Sequence, residues 1–163
     1  MILNVAVTGG EGSERAAFSR RFIQLVEYSR NVFEVYRRSI PFEMGGDAAA
    51  AFSVNQLLCD AMMTNEAVRG LAHVYNPLRL IVHRDTPYDV ADLTGDGACM
   101  ELLREEIESV YGAYRLDFVF KVGESPTPPS GETVWELGPE EAAAMINRVC
   151  DASGLDRHSG YTA

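Results

Sequence analysis

The chain has 163 residues, 47% of them hydrophobic and 23% charged, which suits one domain with a sizeable core. Its 14 glycines and 7 prolines are ordinary and exclude collagen-like and low-complexity classes. The formal net charge of −10 disfavours general binding to nucleic acid or to an anionic membrane surface, since both reward basic patches. The excess is regional: residues 1–40 carry +2 and residues 41–163 carry −12, so the first segment retains room for a local arginine patch. Cys59, Cys99 and Cys150 are odd in number, far apart and without C-x-x-C spacing, which argues against a disulfide framework or zinc knuckle and for a reducing compartment. All three fall in apolar helical patterns and are expected as small buried hydrophobes. No apolar run approaches the ~18–20 residues of a membrane span. The first residues lack the basic start of a signal peptide. The expectation is a soluble protein, cytoplasmic or otherwise intracellular.

Ile2–Thr8 is apolar, rich in β-branched residues and followed by Gly9-Gly10, which predicts a buried strand entering a glycine turn. Residues 13–29 have helical spacing, with Phe18, Phe22 and Val26 on one stripe. A second strand is expected over 32–37, a loop over 41–47 and a long helix over 48–74, with Val54, Leu57, Leu58, Ala61 and Met62 as its apolar face. Residues 78–83 form another apolar strand. Residues 84–97 read as a solvated polar loop holding Asp85, Asp89, Asp92 and Asp96, whose spacing does not match a calcium-binding loop. A helix over 98–111 and a strand over 116–122 follow. Residues 125–131 read as a rigid connector. A short strand over 133–137 places Trp135 in the core. Gly138-Pro139-Glu140-Glu141 is a strong helix start, with Gly at the N-cap, Pro at the first helical position and acids in the first turn. That helix runs to about 151, and residues 152–163 read as a flexible tail. Strands alternating with helices predict an α/β fold: a three-layer sandwich with a five-stranded parallel sheet and helices on both faces.

The turn Gly9-Gly10-Glu11-Gly12-Ser13 lies between a strand and a helix, the setting in which converging backbone N–H groups and a helix dipole cradle phosphate. A working phosphate loop then needs G-K-[ST], the lysine for the β- and γ-phosphates and the hydroxyl for Mg²⁺. Here those positions are Glu14, Arg15 and Ala16. Glu14 adds negative charge and bulk, Arg15 keeps a charge without the compact ammonium, and Ala16 cannot bind a metal. The only lysine in the chain is Lys121.

TGGEGSERAAFSRRF resembles the phosphate loop and first helix of thymidylate kinases, whose loop commonly reads GGEGSGKST. The likeness continues in order along nearly the whole chain. Phe42-Glu43-Met44-Gly45-Gly46 falls at REPGG, LLCDAMMTNEAVRGLAHVYNPL at the long helix, LIVHRDT at the strand ending in DRY, and LTGDG near YQG. YRLDFVFKVGESP and VWELGPEEAAAMINRV are similar to the last strands and closing helix. The resemblance implies a thymidylate-kinase-like domain over 1–151. It also implies losses: Arg15 and Ala16 for lysine and hydroxyl, Phe42 for arginine, Cys59 for the base-stacking aromatic, Met63 near the phosphate-binding arginine, His83 for aspartate and Thr94 for glutamine. Arg84 matches the arginine of DRY. The arginine-bearing lid is reduced to residues 125–131. With phosphoryl transfer resting on positioning and electrostatics, the implication is a degenerate kinase without activity.

Three functions are weighed. The first is a pseudokinase that needs no cofactor and acts as a structural or regulatory subunit. It would bind a protein partner or a second copy through the helices at 48–74 or 98–111. The second is a nucleotide-binding phosphotransferase with a non-standard loop, in which Arg15 and Arg84 hold the phosphates of ATP and Asp85 holds Mg²⁺. The third is a nucleoside deoxyribosyltransferase-like enzyme using Glu101, since Gly97-Ala98-Cys99-Met100-Glu101 faintly resembles that family's G-T-x-x-E. His83-Arg84-Asp85 spells the protein-kinase triplet HRD, but the remainder of that signature is absent. His73 and His158 have no partner visible in the sequence.

Overall fold

The computed structural model describes residues 2–27, 32–38, 46–71, 79–91, 94–113, 116–124 and 133–153. Its elements are β1 (Ile2–Thr8), α1 (Gly12–Leu25), β2 (Val32–Val35), α2 (Gly46–Gly70), β3 (Arg79–His83), α3 (Pro87–Ala91), α4 (Gly97–Ala113), β4 (Phe118–Lys121), β5 (Val134–Trp135) and α5 (Pro139–Ala152). The five strands form one sheet in the order β2-β3-β1-β4-β5. Every pairing is parallel. The first strand is central and the closing strand is two residues long at one edge, in agreement with the expected α/β sandwich.

Alternation along β1 sorts side chains to the two faces of the sheet. Leu3, Val5 and Val7 meet Leu80, Val82 and Phe120 in a core closed by Phe18, Phe22 and Val26 from the α1 side and Ala142, Ala143, Ile146 and Cys150 of α5. The rings of Phe18, Phe22 and Phe120 lie with centroids 5.8–6.3 Å apart, within range for favourable aromatic pairs. On the opposite face Ile81 and Val35 pack under Val54, Leu57, Leu58 and Ala61 of α2, Tyr88 and Val90 of α3, and Leu103 and Ile107 of α4. Among the described residues no helix is long and apolar enough to cross a membrane.

The start of α5 follows its sequence: Gly138 is the N-cap, Pro139 opens the helix and the Glu141 carboxylate accepts the Gly138 N–H at 3.2 Å.

Four expectations change. Residues 84–91 are not a solvated loop, because α3 folds inside them and buries Pro87, Tyr88, Val90 and Ala91, whereas Gly95 and Asp96 are exposed as expected and Asp92 lies outside the described residues. Thr86-Pro87-Tyr88-Asp89 is itself a helix start, with the Asp89 carboxylate bonded to Thr86 N–H and Thr86 Oγ1 bonded to Asp89 N–H. Met62 is exposed, one position off the buried stripe of α2, which runs on from Ala61 through Asn65 and Val68. Cys150 is buried as expected, whereas Cys59 is exposed and Cys99 half-buried. Trp135 is 38% exposed because β5 lies at the edge of the sheet, with β4 its single neighbour among the described residues. The connector at 125–131, His73, His158 and residues 41–45 lie outside the described residues, as does the tail from 154 onward.

Candidate functional site

The sheet order reverses direction between β1 and β3: β1 leads to β2 at one edge, and β3 leads across β1 to β4. In open α/β sheets ligands bind in the crevice beyond the carboxyl ends of the strands flanking such a point. The glycine turn occupies that position. Gly9 and Gly10 have φ of 84° and 57°, where a side chain is strained. The turn also leans on the loop after β4, with Gly10 N–H donating to Glu124 O at 2.9 Å. A Cβ on Gly123 would stand 3.1 Å from Gly10 Cα, so two glycines permit this approach.

Arg15, one turn into α1, points inward and is only 9% exposed. Its Nε donates to Asp85 Oδ1 at 3.0 Å, and its Nη1 donates to the carbonyls of Gly9 (3.0 Å) and Gly10 (2.8 Å). The other Asp85 oxygen accepts Arg37 N–H at 2.7 Å. Asp89 lies alongside, its Oδ2 3.9 Å from Arg15 Nε. Its Oδ1 accepts Thr8 Oγ1–H at 2.8 Å and Gly9 N–H at 2.9 Å, and its Oδ2 accepts both the N–H and the hydroxyl of Thr86. One cation and two carboxylates are thereby satisfied inside the crevice, as buried charge requires. At the mouth, the Glu14 carboxylate takes Glu11 N–H at 2.6 Å. Ser13, Glu14 and Gly12 are exposed, and Ala16 is half-buried.

Arg15 and Asp85 are thus brought together. Arg84 is turned the other way: its guanidinium carbon stacks 4.2 Å over the Tyr36 ring, and Nη1 is 3.9 Å from Glu34. Glu101 is exposed on α4, and among the described residues no hydrogen bond or ion pair joins it to the glycine turn. His83 is fully buried on β3, with Nε2 3.1 Å from Asn4 Oδ1. Burial pushes its pKa down to about 4, which keeps the ring neutral. Among the described residues no group of three or more His, Cys, Asp or Glu side chains could hold a metal ion.

Sequence reasoning missed Asp89. Its signal was the Thr-Pro-x-Asp helix start, hidden by counting aspartates as one acidic stretch. No protein-family model and no curated protein matches this sequence.

Proposed function

We propose that the chain is a catalytically inactive, thymidylate-kinase-like protein that serves as a structural or regulatory interaction subunit. The observation that carries this reading is Arg15. It stands at the position of the phosphate-loop lysine, and its guanidinium is committed to Asp85 and to two carbonyls of the turn. Around it the donor set is a poor match for a magnesium nucleotide. Ala16 offers no metal ligand, Asp85 and Asp89 are consumed by protein donors, and Glu14 sets a carboxylate at the mouth of the turn. The sheet order with β1 central supports the resemblance at the level of fold, and fold alone does not fix activity.

The interaction role is supported by α2. Phe52, Cys59 and Met63 recur at i, i+7 and i+11, which places them on one stripe of the helix. All three are exposed, Phe52 at 47% and Met63 at 71%. A partner protein or a second copy of the chain would cover that stripe. Three free cysteines, one of them exposed, suit a reducing intracellular compartment.

Titration calorimetry with ATP, dTMP and Mg²⁺ tests the reading. No heat of binding up to millimolar nucleotide is expected. Micromolar, Mg²⁺-dependent binding lost in Arg15→Ala would overturn it in favour of a phosphotransferase with a non-standard loop.

A further inference from the structure

The carboxylate of Asp89 sits as an anion in a site. Its Oδ1 is held by the Thr8 hydroxyl and the Gly9 N–H, at 2.8 and 2.9 Å. Its Oδ2 is held by the Thr86 hydroxyl at 2.7 Å, with the Arg15 guanidinium 3.9 Å away. Three of the side chains that surround it, Thr8, Arg15 and Thr86, are at most 9% exposed. Two of these groups belong to β1 and its turn, at the sheet's switch point. The carboxylate reaches them from α3, which is anchored by Tyr88, Val90 and Ala91 in the core under α2 and α4.

We propose that Thr8, Gly9, Thr86 and Arg15 form an oxyanion-binding site whose resident anion is the chain's own Asp89. The ligand class is a small planar or tetrahedral oxyanion, a carboxylate or a phosphate. The donors number what one such group accepts, and the nearby guanidinium supplies the charge. While α3 is docked, an external anion must displace a tethered carboxylate present at very high effective concentration. Wild-type protein therefore leaves no room at this end of the crevice for a second oxyanion. The inference goes beyond the inactive-kinase reading and does not require it, because it concerns a small oxyanion in the place of the Asp89 carboxylate rather than a nucleotide on the glycine turn.

Removing the carboxylate exposes the site. Asp89→Ala, in the full chain at pH 7.5, is followed by thermal unfolding in sodium acetate, inorganic phosphate or chloride at equal ionic strength. Acetate or phosphate is expected to raise its melting temperature saturably, by about 3–5 °C at ten times the dissociation constant. Wild type and Asp89→Asn, whose amide still fills the space, are expected to respond no more to these anions than to chloride. Adding Thr8→Val to Asp89→Ala is expected to abolish the response. A folded Asp89→Ala that treats the three salts alike overturns the proposal, as does an equal response in wild type or an unchanged response in the double variant. Should Asp89→Ala fail to fold in chloride, recovery of its native circular dichroism in acetate or phosphate supports the site, and failure in all three salts overturns it.

Discussion

Arg15 Nε stands 3.0 Å from Asp85 Oδ1, joining residues 70 positions apart in a crevice where neither side chain is more than a tenth exposed. The pair ties the first turn of α1 to the carboxyl end of β3, and Asp85 continues the tie to the backbone of Arg37 after β2. A buried ion pair adds little or no net stability over a well-packed apolar replacement, because desolvation offsets the attraction, but breaking it on one side strands a charge.

Arg15→Met is accordingly expected to cost about 3–5 kcal/mol, because Asp85 and Asp89 lose their cation. Asp85→Asn alone is expected to be costly too, and the double variant to be less destabilised than the two single effects combined. A double-mutant cycle by urea unfolding measures this. Additive losses would show that the two residues act independently.

Gly10→Ala is expected to destabilise by about 2–3 kcal/mol, since it forces a side chain into a left-handed backbone. The new Cβ would also collide with the Glu14 carboxylate and approach Val122 O at 3.0 Å. Gly12→Ala is the control: its Cβ would meet only Arg15 Nη2, at 3.7 Å. Chemical denaturation of the two variants checks the difference, and equal losses would remove the special role of the Gly10 backbone.

His83 makes stability depend on pH. Burial lowers its folded-state pKa from 6.5 to about 4, so the unfolded chain binds the proton more readily. Stability from this residue is full above pH 6.5 and is lost as pH falls toward 4, by about 3 kcal/mol in total. Unfolding curves of wild type and His83→Phe between pH 4.5 and 7.5 are expected to differ in slope over that window. Parallel curves would place the acid sensitivity elsewhere.

The α2 stripe predicts a surface effect without a folding effect. Phe52→Glu with Met63→Glu is expected to change stability by about 0.5 kcal/mol or less per site, as at other exposed positions. The same change is expected to dissociate a homodimer or abolish partner capture, read by light scattering and by pull-down with purified partner. Unaltered mass and capture would move the interface off this helix.

The strands, their parallel arrangement and the α5 start were legible because each rests on local signals: the apolar run of Ile2–Thr8, the alternation around Phe118 and Phe120, and Gly138-Pro139. The glycine turn was legible for the same reason. What it binds to was not. Arg15 reads locally as a lysine substitute, and only the tertiary structure brings Asp85 to it. Asp85 and Asp89 looked solvated because charge density predicts exposure, and burial of a carboxylate depends on donors that lie far along the chain. Trp135 was misplaced because size and apolarity do not reveal which strand ends a sheet. Met62 shows that one further residue along a helix turns a side chain from core to solvent.

The place of β1 in the sheet bears on how the protein is made. Synthesis delivers this strand before the others, yet both its neighbours lie far downstream: Ile2 aligns with Arg79 and Val5 with Phe118. A nascent chain therefore carries this longest strand unpaired until β3 has left the ribosome, and with one edge open until β4 follows. Pairings this remote close large loops before any contact repays them, which slows folding and exposes the strand to aggregation. The interval in which the emerging polypeptide most needs a chaperone is set by the distance from Thr8 to Phe118.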